Sequence, residues 1–277
     1  MSSIPIETNV TSSDNLDSSS VSSATKYVSS TTKSENNTSS ENKPIGPHTH
    51  NIVNNVCAVC GKYNLGNLLI LGDSYSTFEG YIPSGYAPWY INGSNSQETD
   101  VTNVGQTWWT LLCENSIINL LRNDSWSGTT ICNTTYGENG SRSSFITRFD
   151  NLVANGYFKK NQVDTIIVFG GTNDAWGSSP IGKEKYSDWN ESDKKQFLPA
   201  FCYLLARIQT TLPNARPVCI VNDSLNTDYK NGMLSVCSHY NIDTIQLQSI
   251  NKICGHPSIL GMLQIEEQLT DFFKEGA

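Results

Sequence analysis

The chain has 277 residues and carries 18 Lys and Arg against 26 Asp and Glu, which gives a formal net charge of −8 at pH 7. This acidic balance, without a run of basic residues, leaves no electrostatic footprint for phosphates and excludes a nucleic-acid or anionic-membrane partner. No apolar run approaches the roughly 20 residues that span a bilayer, so we predict no transmembrane segment.

The N-terminal part of the chain differs in composition from the rest. Of the first 40 residues, 24 are Ser, Thr or Asn. Such a stretch cannot offset the entropy lost on ordering, so we predict a disordered tail over residues 1–46. The chain begins without the basic and apolar regions of a signal peptide. Since the leader resembles the tethers of bacterial surface proteins, we expect a secreted or cell-surface location, with a cytoplasmic one as the alternative.

A short segment rich in His and Cys follows over residues 47–66. His48, His50, Cys57 and Cys60 are the ligand types of a tetrahedral zinc site, and Cys57-x-x-Cys60 followed by Gly61 is typical of a zinc knuckle. Only one CxxC is present, however. The sequence leaves open a structural zinc site, a redox-labile thiol pair and an inert leader segment.

The remaining residues, 67–277, alternate between apolar runs and amphipathic stretches. This alternation is typical of a parallel sheet with helices on both faces, and it predicts a single α/β domain. The predicted strands are 67–72, 116–122, 164–169, 217–222 and 243–247, and the predicted helices are 106–114, 143–155, 193–211, 230–240 and 257–274.

Four polar loops follow elements of this predicted sheet, at 72–76, 123–128, 170–174 and 255–258. In open parallel sheets the functional site forms outside the carboxyl ends of the strands, so we expect these loops to converge. They bring together the groups that acyl transfer needs. Ser74 is a candidate nucleophile, His256 a candidate general base, and Gly128 and Asn173 can donate N–H groups to an oxyanion.

In order along the chain, Gly72-Asp73-Ser74, Gly128, Gly171-Thr172-Asn173-Asp174 and His256-Pro257 resemble the four sequence blocks of the SGNH, or GDSL-type, hydrolases. The likeness covers most of residues 67–275. Within the family, the sequence resembles a bacterial branch associated with polysaccharide or small acyl esters. It implies a three-layer α/β/α sandwich with a five-stranded, parallel, flavodoxin-like sheet.

The resemblance also implies the roles of the site residues. Ser74 would be the nucleophile and His256 the base, with the Ser74 and Gly128 N–H groups and the Asn173 side chain forming the oxyanion hole. The reaction would proceed through an acyl-enzyme and need no cofactor. Asp73 and Asp174 are expected to shape their loops.

One position departs from the family pattern. An Asp commonly stands three residues before the His to orient the imidazole, and here that position is Ile253. We therefore expect a Ser-His dyad, or a triad completed by a backbone carbonyl or by Asn251. Loss of an orienting Asp lowers the rate strongly in a well-studied triad, so reduced activity is expected.

Several aromatic and basic residues near these loops have two interpretations. Trp89, Tyr90, Trp126 and Trp176 could stack on sugar rings or pack in the core. Arg142 and Arg148 could read a substrate carboxylate, but surface ion pairs are the default expectation.

The predicted function is a serine esterase that hydrolyses small acyl esters of the acetyl type, on a small molecule or a polysaccharide. The alternatives are a catalytically weakened homologue that serves as a glycan-binding module, and a lipase or lysophospholipase. The sequence specifies neither the acyl group nor the oligomeric state.

Overall fold

A computed structural model describes residues 47–93, 97–134 and 140–275 of the chain. The predicted disordered tail, 1–46, lies outside the described residues. The description begins with a small hairpin of two strands, β1 (Ile52–Val53) and β2 (Val56–Cys57), which pair in antiparallel fashion.

A five-stranded parallel sheet forms the centre of the domain. Its strands stand in the order β4-β3-β5-β6-β7, in which the first strand of the domain has neighbours on both sides, as in flavodoxin-like folds. The strands are β3 (Asn64–Gly72), β4 (Ile117–Ser125), β5 (Thr165–Phe169), β6 (Arg216–Val221) and β7 (Asp243–Gln246).

A second small hairpin, of β8 (Lys252–Ile253) and β9 (His256–Pro257), precedes the last helix. Seven helices accompany the strands in the described residues. They are α1 (Trp108–Asn115), α2 (Phe145–Ala154), α3 (Tyr157–Lys160), α4 (Thr172–Trp176), α5 (Phe197–Thr211), α6 (Thr227–His239) and α7 (Ile259–Glu275).

The strand side chains divide between two hydrophobic cores because successive residues of a strand point to opposite faces. Leu69 and Leu71 of β3 pack with α2, α5 and α6 on one face. Leu68 and Ile70 pack with α1 and α7 on the other. The sheet is thus buried on both sides, and the predicted three-layer α/β/α sandwich is confirmed.

The observed elements differ from the predicted ones mainly at their ends. β3 begins three residues earlier than predicted, and β4 extends through Asn123, Asp124 and Ser125, which pair with Ile70, Leu71 and Gly72. These three polar residues were predicted to be loop; they continue the strand because β3 supplies hydrogen-bond partners. None of the described helices is long and apolar enough to cross a membrane.

Candidate active site

Ser74 lies in a tight turn directly after the central strand β3. Asp73 caps the turn, and its Oδ1 accepts a hydrogen bond from the Tyr75 amide at 3.1 Å. Gly72 is required just before it, because a Cβ there would lie 2.5 Å from Ser125 Oγ. The missing side chain lets the ends of β3 and β4 approach, and Ser74 is left 3% exposed at the edge of the sheet.

The hairpin of β8 and β9 carries His256. Its two-residue turn, Cys254 and Gly255, has left-handed φ values of 47° and 80°, as in the turns that match the twist of paired strands. Gly255 also lies against an indole, since a Cβ there would be 3.1 Å from the Trp176 ring. The turn directs the imidazole back toward the end of β3.

The structure brings Ser74 and His256 into contact. His256 Nε2 lies 2.9 Å from Ser74 Oγ, and His256 Nδ1 lies 3.2 Å from the Cys254 carbonyl oxygen. Because a carbonyl can only accept, the proton is placed on Nδ1, and the Nε2 lone pair faces the serine hydroxyl.

Asn251, a candidate for orienting the His256 imidazole, bonds to a different residue. Its exposed side chain accepts a hydrogen bond from the Ser258 hydroxyl at 2.5 Å. The structure therefore places a backbone carbonyl, and not the Asn251 amide, at the imidazole.

Three side chains fasten this hairpin to the sheet. The Tyr75 hydroxyl donates to the Gly255 carbonyl at 2.5 Å, and the Tyr90 hydroxyl donates to the Pro257 carbonyl at 2.8 Å. Lys252 Nζ donates to the Asp223 carboxylate beyond the end of β6. Sequence reasoning missed these contacts, because the tyrosines and their acceptors are 180 and 167 residues apart and no local pattern marks them.

Aromatic rings enclose the imidazole. Trp89 stacks on it with ring centroids 3.6 Å apart, and Tyr75 and Trp176 approach in T-shaped geometry. Burial among these rings lowers the pKa of His256 to about 4, with a further lowering by the positive charge of Lys252. The imidazole is consequently neutral at physiological pH, as a proton acceptor must be.

Asn173 contacts the loop that carries Gly128. The Asn173 side-chain amide donates to the carbonyl of Thr129, the residue after Gly128, at 3.0 Å. Ser127 Oγ lies 3.1 Å from Thr77 Oγ1, which in turn donates to the Ser74 carbonyl. These bonds join the Gly128 loop both to Asn173 and to the turn that carries Ser74.

A buried arginine, Arg148, bonds to these loops from the interior of the domain. Arg148 is 1% exposed, which corrects the expectation of a surface ion pair. Its guanidinium donates to the Gly72 carbonyl at 3.0 Å, to Thr129 Oγ1 at 3.2 Å and to both the carbonyl and the carboxylate of Asp124. One side chain, Arg148, therefore bonds to the end of β3, to the end of β4 and to the Gly128 loop.

The carboxylates of Asp73 and Asp174 are fully buried. Burial raises the pKa of Asp73 to about 7 and that of Asp174 to about 6. Asp174 accepts from the backbone amides of Ile131 and Cys132 at 2.7 and 3.2 Å. It therefore holds the chain that follows the Gly128 loop.

The predicted metal ligands lie together in another place. The ligand atoms of His48, His50, Cys57 and Cys60 are all within 4.8 Å of one another. They belong to the segment before β3, at the opposite end of that strand from Ser74.

The fold and this arrangement define a hydrolase with a serine and a neutral imidazole in contact at the carboxyl edge of a parallel sheet. Residues 66–273 match the family model described as GDSL-like Lipase/Acylhydrolase. The chain belongs to this family, and the SGNH/GDSL resemblance is confirmed. Ester hydrolysis is the activity that this membership assigns to it.

Solved structures agree with this assignment. A structure named as a GDSL-like lipase from Bacteroides ovatus is 42% identical, covers 76% of this chain and 99% of its own, and superposes with a TM-score of 0.70. Another from Bacteroides uniformis is 41% identical, with coverages of 75% and 95% and a TM-score of 0.68.

A family two carbohydrate esterase from Clostridium thermocellum, solved in complex with cellohexaose, has the same fold at 18% identity. It superposes with a TM-score of 0.53 over 76% of this chain and 63% of its own. No curated protein matches the chain.

The position of Arg148 generates a stability prediction. We expect Arg148→Met to lower the free energy of unfolding by roughly 3–5 kcal/mol, because it removes a buried charge and leaves several acceptors unpaired. Arg148→Lys should recover only part of this, since an ammonium group cannot reproduce the guanidinium fork. Urea denaturation measures the free energy of unfolding of wild type and of both variants.

Arg207 offers a matched control for this experiment. It pairs with Asp150 at 3.2 Å, but both side chains are about one-third exposed. Arg207→Met should therefore change stability by less than about 1 kcal/mol. Equal losses for Arg148→Met and Arg207→Met would contradict the anchoring role of Arg148.

Proposed function

We propose that the protein is a serine esterase that removes small acyl groups, of the acetyl type, from carbohydrate. The observation that carries the proposal is the 2.9 Å contact between Ser74 Oγ and His256 Nε2. Nucleophile and base lie within hydrogen-bond reach, as general-base activation of a serine requires.

In the proposed reaction, Ser74 Oγ attacks the acyl carbon of the ester while His256 Nε2 takes the hydroxyl proton. The tetrahedral intermediate collapses, the acyl–oxygen bond breaks, and the leaving alcohol takes the proton from His256. Water then attacks the acyl-enzyme with His256 again as base, which releases the acid and restores Ser74. Ser74 supplies the nucleophile and His256 the base, so we propose that hydrolysis needs no cofactor.

The negative charge of the tetrahedral intermediate needs donors in place before the reaction. We propose that the Ser74 and Gly128 amides and the Asn173 side chain supply them. One Asn173 N–H is committed to the Thr129 carbonyl at 3.0 Å, which fixes the amide plane and leaves its second N–H for the oxyanion. Gly128 has a φ of 73° and open space where a Cβ would stand.

The positive charge of the intermediate forms on His256, whose Nδ1 faces a backbone carbonyl and not a carboxylate in the described part of the chain. Two features support its stabilisation. The Cys254 carbonyl accepts from Nδ1 at 3.2 Å, and the indole of Trp89 covers the imidazole face with 10° between the ring planes. An aromatic face attracts a cation by about 0.5–2 kcal/mol, which is less than a buried carboxylate provides.

An exposed aromatic residue at the site supports carbohydrate as the substrate class. Trp176 is 46% exposed and lies edge-on to His256, with ring centroids 5.7 Å apart. A large apolar ring kept partly in solvent beside the reacting groups offers a stacking surface for a sugar. The Ser/Thr/Asn-rich leader supports the display of this site at a bacterial surface, within reach of polysaccharide.

Replacement of the nucleophile tests the reaction. Wild-type protein should hydrolyse p-nitrophenyl acetate and be labelled by a fluorophosphonate, whereas Ser74→Ala should lose label and lower kcat by roughly 10⁴-fold or more. Ser76→Ala is the control, because Ser76 is also buried in the turn and its hydroxyl has no partner among the described residues.

Retained turnover in Ser74→Ala, or none in wild type, would contradict the esterase proposal. Binding of oligosaccharide without turnover would favour the glycan-binding module. Preference for p-nitrophenyl palmitate over the acetate would favour a lipase.

The pH dependence of kcat/KM reports the protonation state of His256. Protonation removes the lone pair that accepts the Ser74 proton, so the rate should fall as the pH is lowered through about 4. An exposed imidazole would give this fall near 6.5. Initial rates on p-nitrophenyl acetate, with circular dichroism to verify folding at each pH, measure the profile.

Asp73→Asn is the control for this profile, because burial raises the pKa of Asp73 to about 7. The acid limb near 4 should persist in the variant. A limb near 7 that disappears in Asp73→Asn would belong to the Asp73 carboxyl, and a profile without a limb near 4 would contradict the role of His256.

Trp176→Ala tests the substrate class. We expect kcat/KM for an acetylated xylo-oligosaccharide to fall about tenfold, which corresponds to the loss of one stacking contact of about 1.4 kcal/mol. The value for p-nitrophenyl acetate should change less. Tyr157→Ala is the control, since Tyr157 is half-buried in α3, before β5 and away from the carboxyl edge. An equal effect of Trp176→Ala on both esters would contradict sugar stacking.

A further inference from the structure

A cluster of two imidazoles and two thiols lies before the central sheet. His50 Nδ1 is 3.3 Å from Cys57 Sγ and 3.6 Å from Cys60 Sγ, and His48 Nε2 is 3.5 Å from Cys57 Sγ. All four ligand atoms lie within 4.8 Å of one another. Each residue directs one nitrogen or sulfur atom to a shared centre.

Three of these separations, 3.3, 3.5 and 3.6 Å, match those around a tetrahedral zinc ion. Zn–S bonds of about 2.3 Å and Zn–N bonds of about 2.0–2.1 Å at tetrahedral angles put neighbouring ligand atoms about 3.3–3.8 Å apart. Two thiolates with two imidazoles in this geometry favour zinc among the common divalent metals. Each neutral imidazole could donate one N–H···S bond, but such bonds do not by themselves gather four ligand atoms around one point.

The backbone of the segment presents the thiols in a knuckle. Cys57 pairs through its amide with the Lys62 carbonyl at 2.9 Å, and its carbonyl accepts from Gly61 at 2.8 Å. Gly61 has a φ of 70°, which closes the turn after Cys60. Both cysteines therefore point to the same side, toward the histidines.

Hydrophobic burial alone gives this segment little support. Between residues 47 and 62 only Cys57 is buried, while Ile52, Val53 and Val59 are 38%, 54% and 49% exposed. A segment without a core of its own needs a staple to hold one conformation. Metal coordination supplies such a staple, because its binding free energy is available to folding.

We propose that His48, His50, Cys57 and Cys60 bind one zinc ion, which fixes the segment before β3 to the hydrolase domain. The segment joins the domain at the start of that strand, where the Asn64 amide donates to the Asn55 carbonyl at 2.6 Å. Ser74 follows the other end of β3, whose nine residues span roughly 26–30 Å. The role of the metal is therefore structural, and it is independent of ester hydrolysis.

Metal analysis of the full chain tests the proposal. After incubation with zinc and removal of free metal, wild-type protein should retain about one zinc per chain, and Cys57→Ser and Cys60→Ser should retain almost none. Cobalt in place of zinc should give the intense visible absorption of a tetrahedral thiolate site in wild type, but not in Cys57→Ser or Cys60→Ser. Cys113→Ser is the matched control, since Cys113 is a free, part-buried thiol in α1, and it should retain the zinc of wild type.

The same variants separate this site from the active site. A strong chelator should lower the Tm of wild type and of Cys113→Ser, but leave that of Cys57→Ser unchanged. Hydrolysis of p-nitrophenyl acetate should continue in Cys57→Ser. Equal zinc content in wild type and Cys57→Ser, wild type without zinc, or a Cys57–Cys60 disulfide in protein purified with zinc and without reductant would each overturn the proposal.

Discussion

The guanidinium of Arg148 lies where β3, β4 and the Gly128 loop meet, and its donors fix the spacing of all three. It bonds the Gly72 carbonyl before the nucleophile turn, Asp124 near the end of β4 and Thr129 beside the Asn173 amide. A buried guanidinium is tolerable only when its donors are paired. The loops must therefore stay where Arg148 can reach them, and this requirement keeps the nucleophile turn and the candidate oxyanion donors in register.

The opposite wall of the site is a hairpin held by backbone acceptors. Two left-handed residues, Cys254 and Gly255, turn the chain so that one carbonyl accepts from the imidazole and the next accepts from Tyr75. A carbonyl dipole orients a ring but supplies no full negative charge. Burial against Trp89 then dominates the pKa of His256 and keeps the imidazole neutral. Because Ile253 stands where the family commonly has an Asp, the backbone carbonyl and the aromatic packing orient the His256 imidazole instead.

The fold could be predicted from the sequence because its signals are local. Runs such as Leu68–Leu71 are apolar on both faces, and this pattern is typical of a strand that is covered on both sides. The alternation of such runs with amphipathic stretches predicts parallel pairing. The end of β4 was misplaced, because Asn123–Ser125 are polar and are held in the strand only by pairing with β3. The short helices α3 and α4 were missed, since four or five residues carry too little periodicity to detect.

By itself, the sequence determined the five-stranded parallel sheet, the family and the order of the residues that meet at its carboxyl edge, since each is written in contiguous motifs. Only the tertiary structure decided which group faces His256 Nδ1, that Arg148 is interior and that Tyr75 and Tyr90 hold the hairpin. These contacts join residues far apart in the chain, or depend on the direction of a backbone carbonyl, and neither is encoded in residue type or spacing. The four His and Cys side chains were visible as ligand types, but their convergence on one point follows from how residues 47–62 turn.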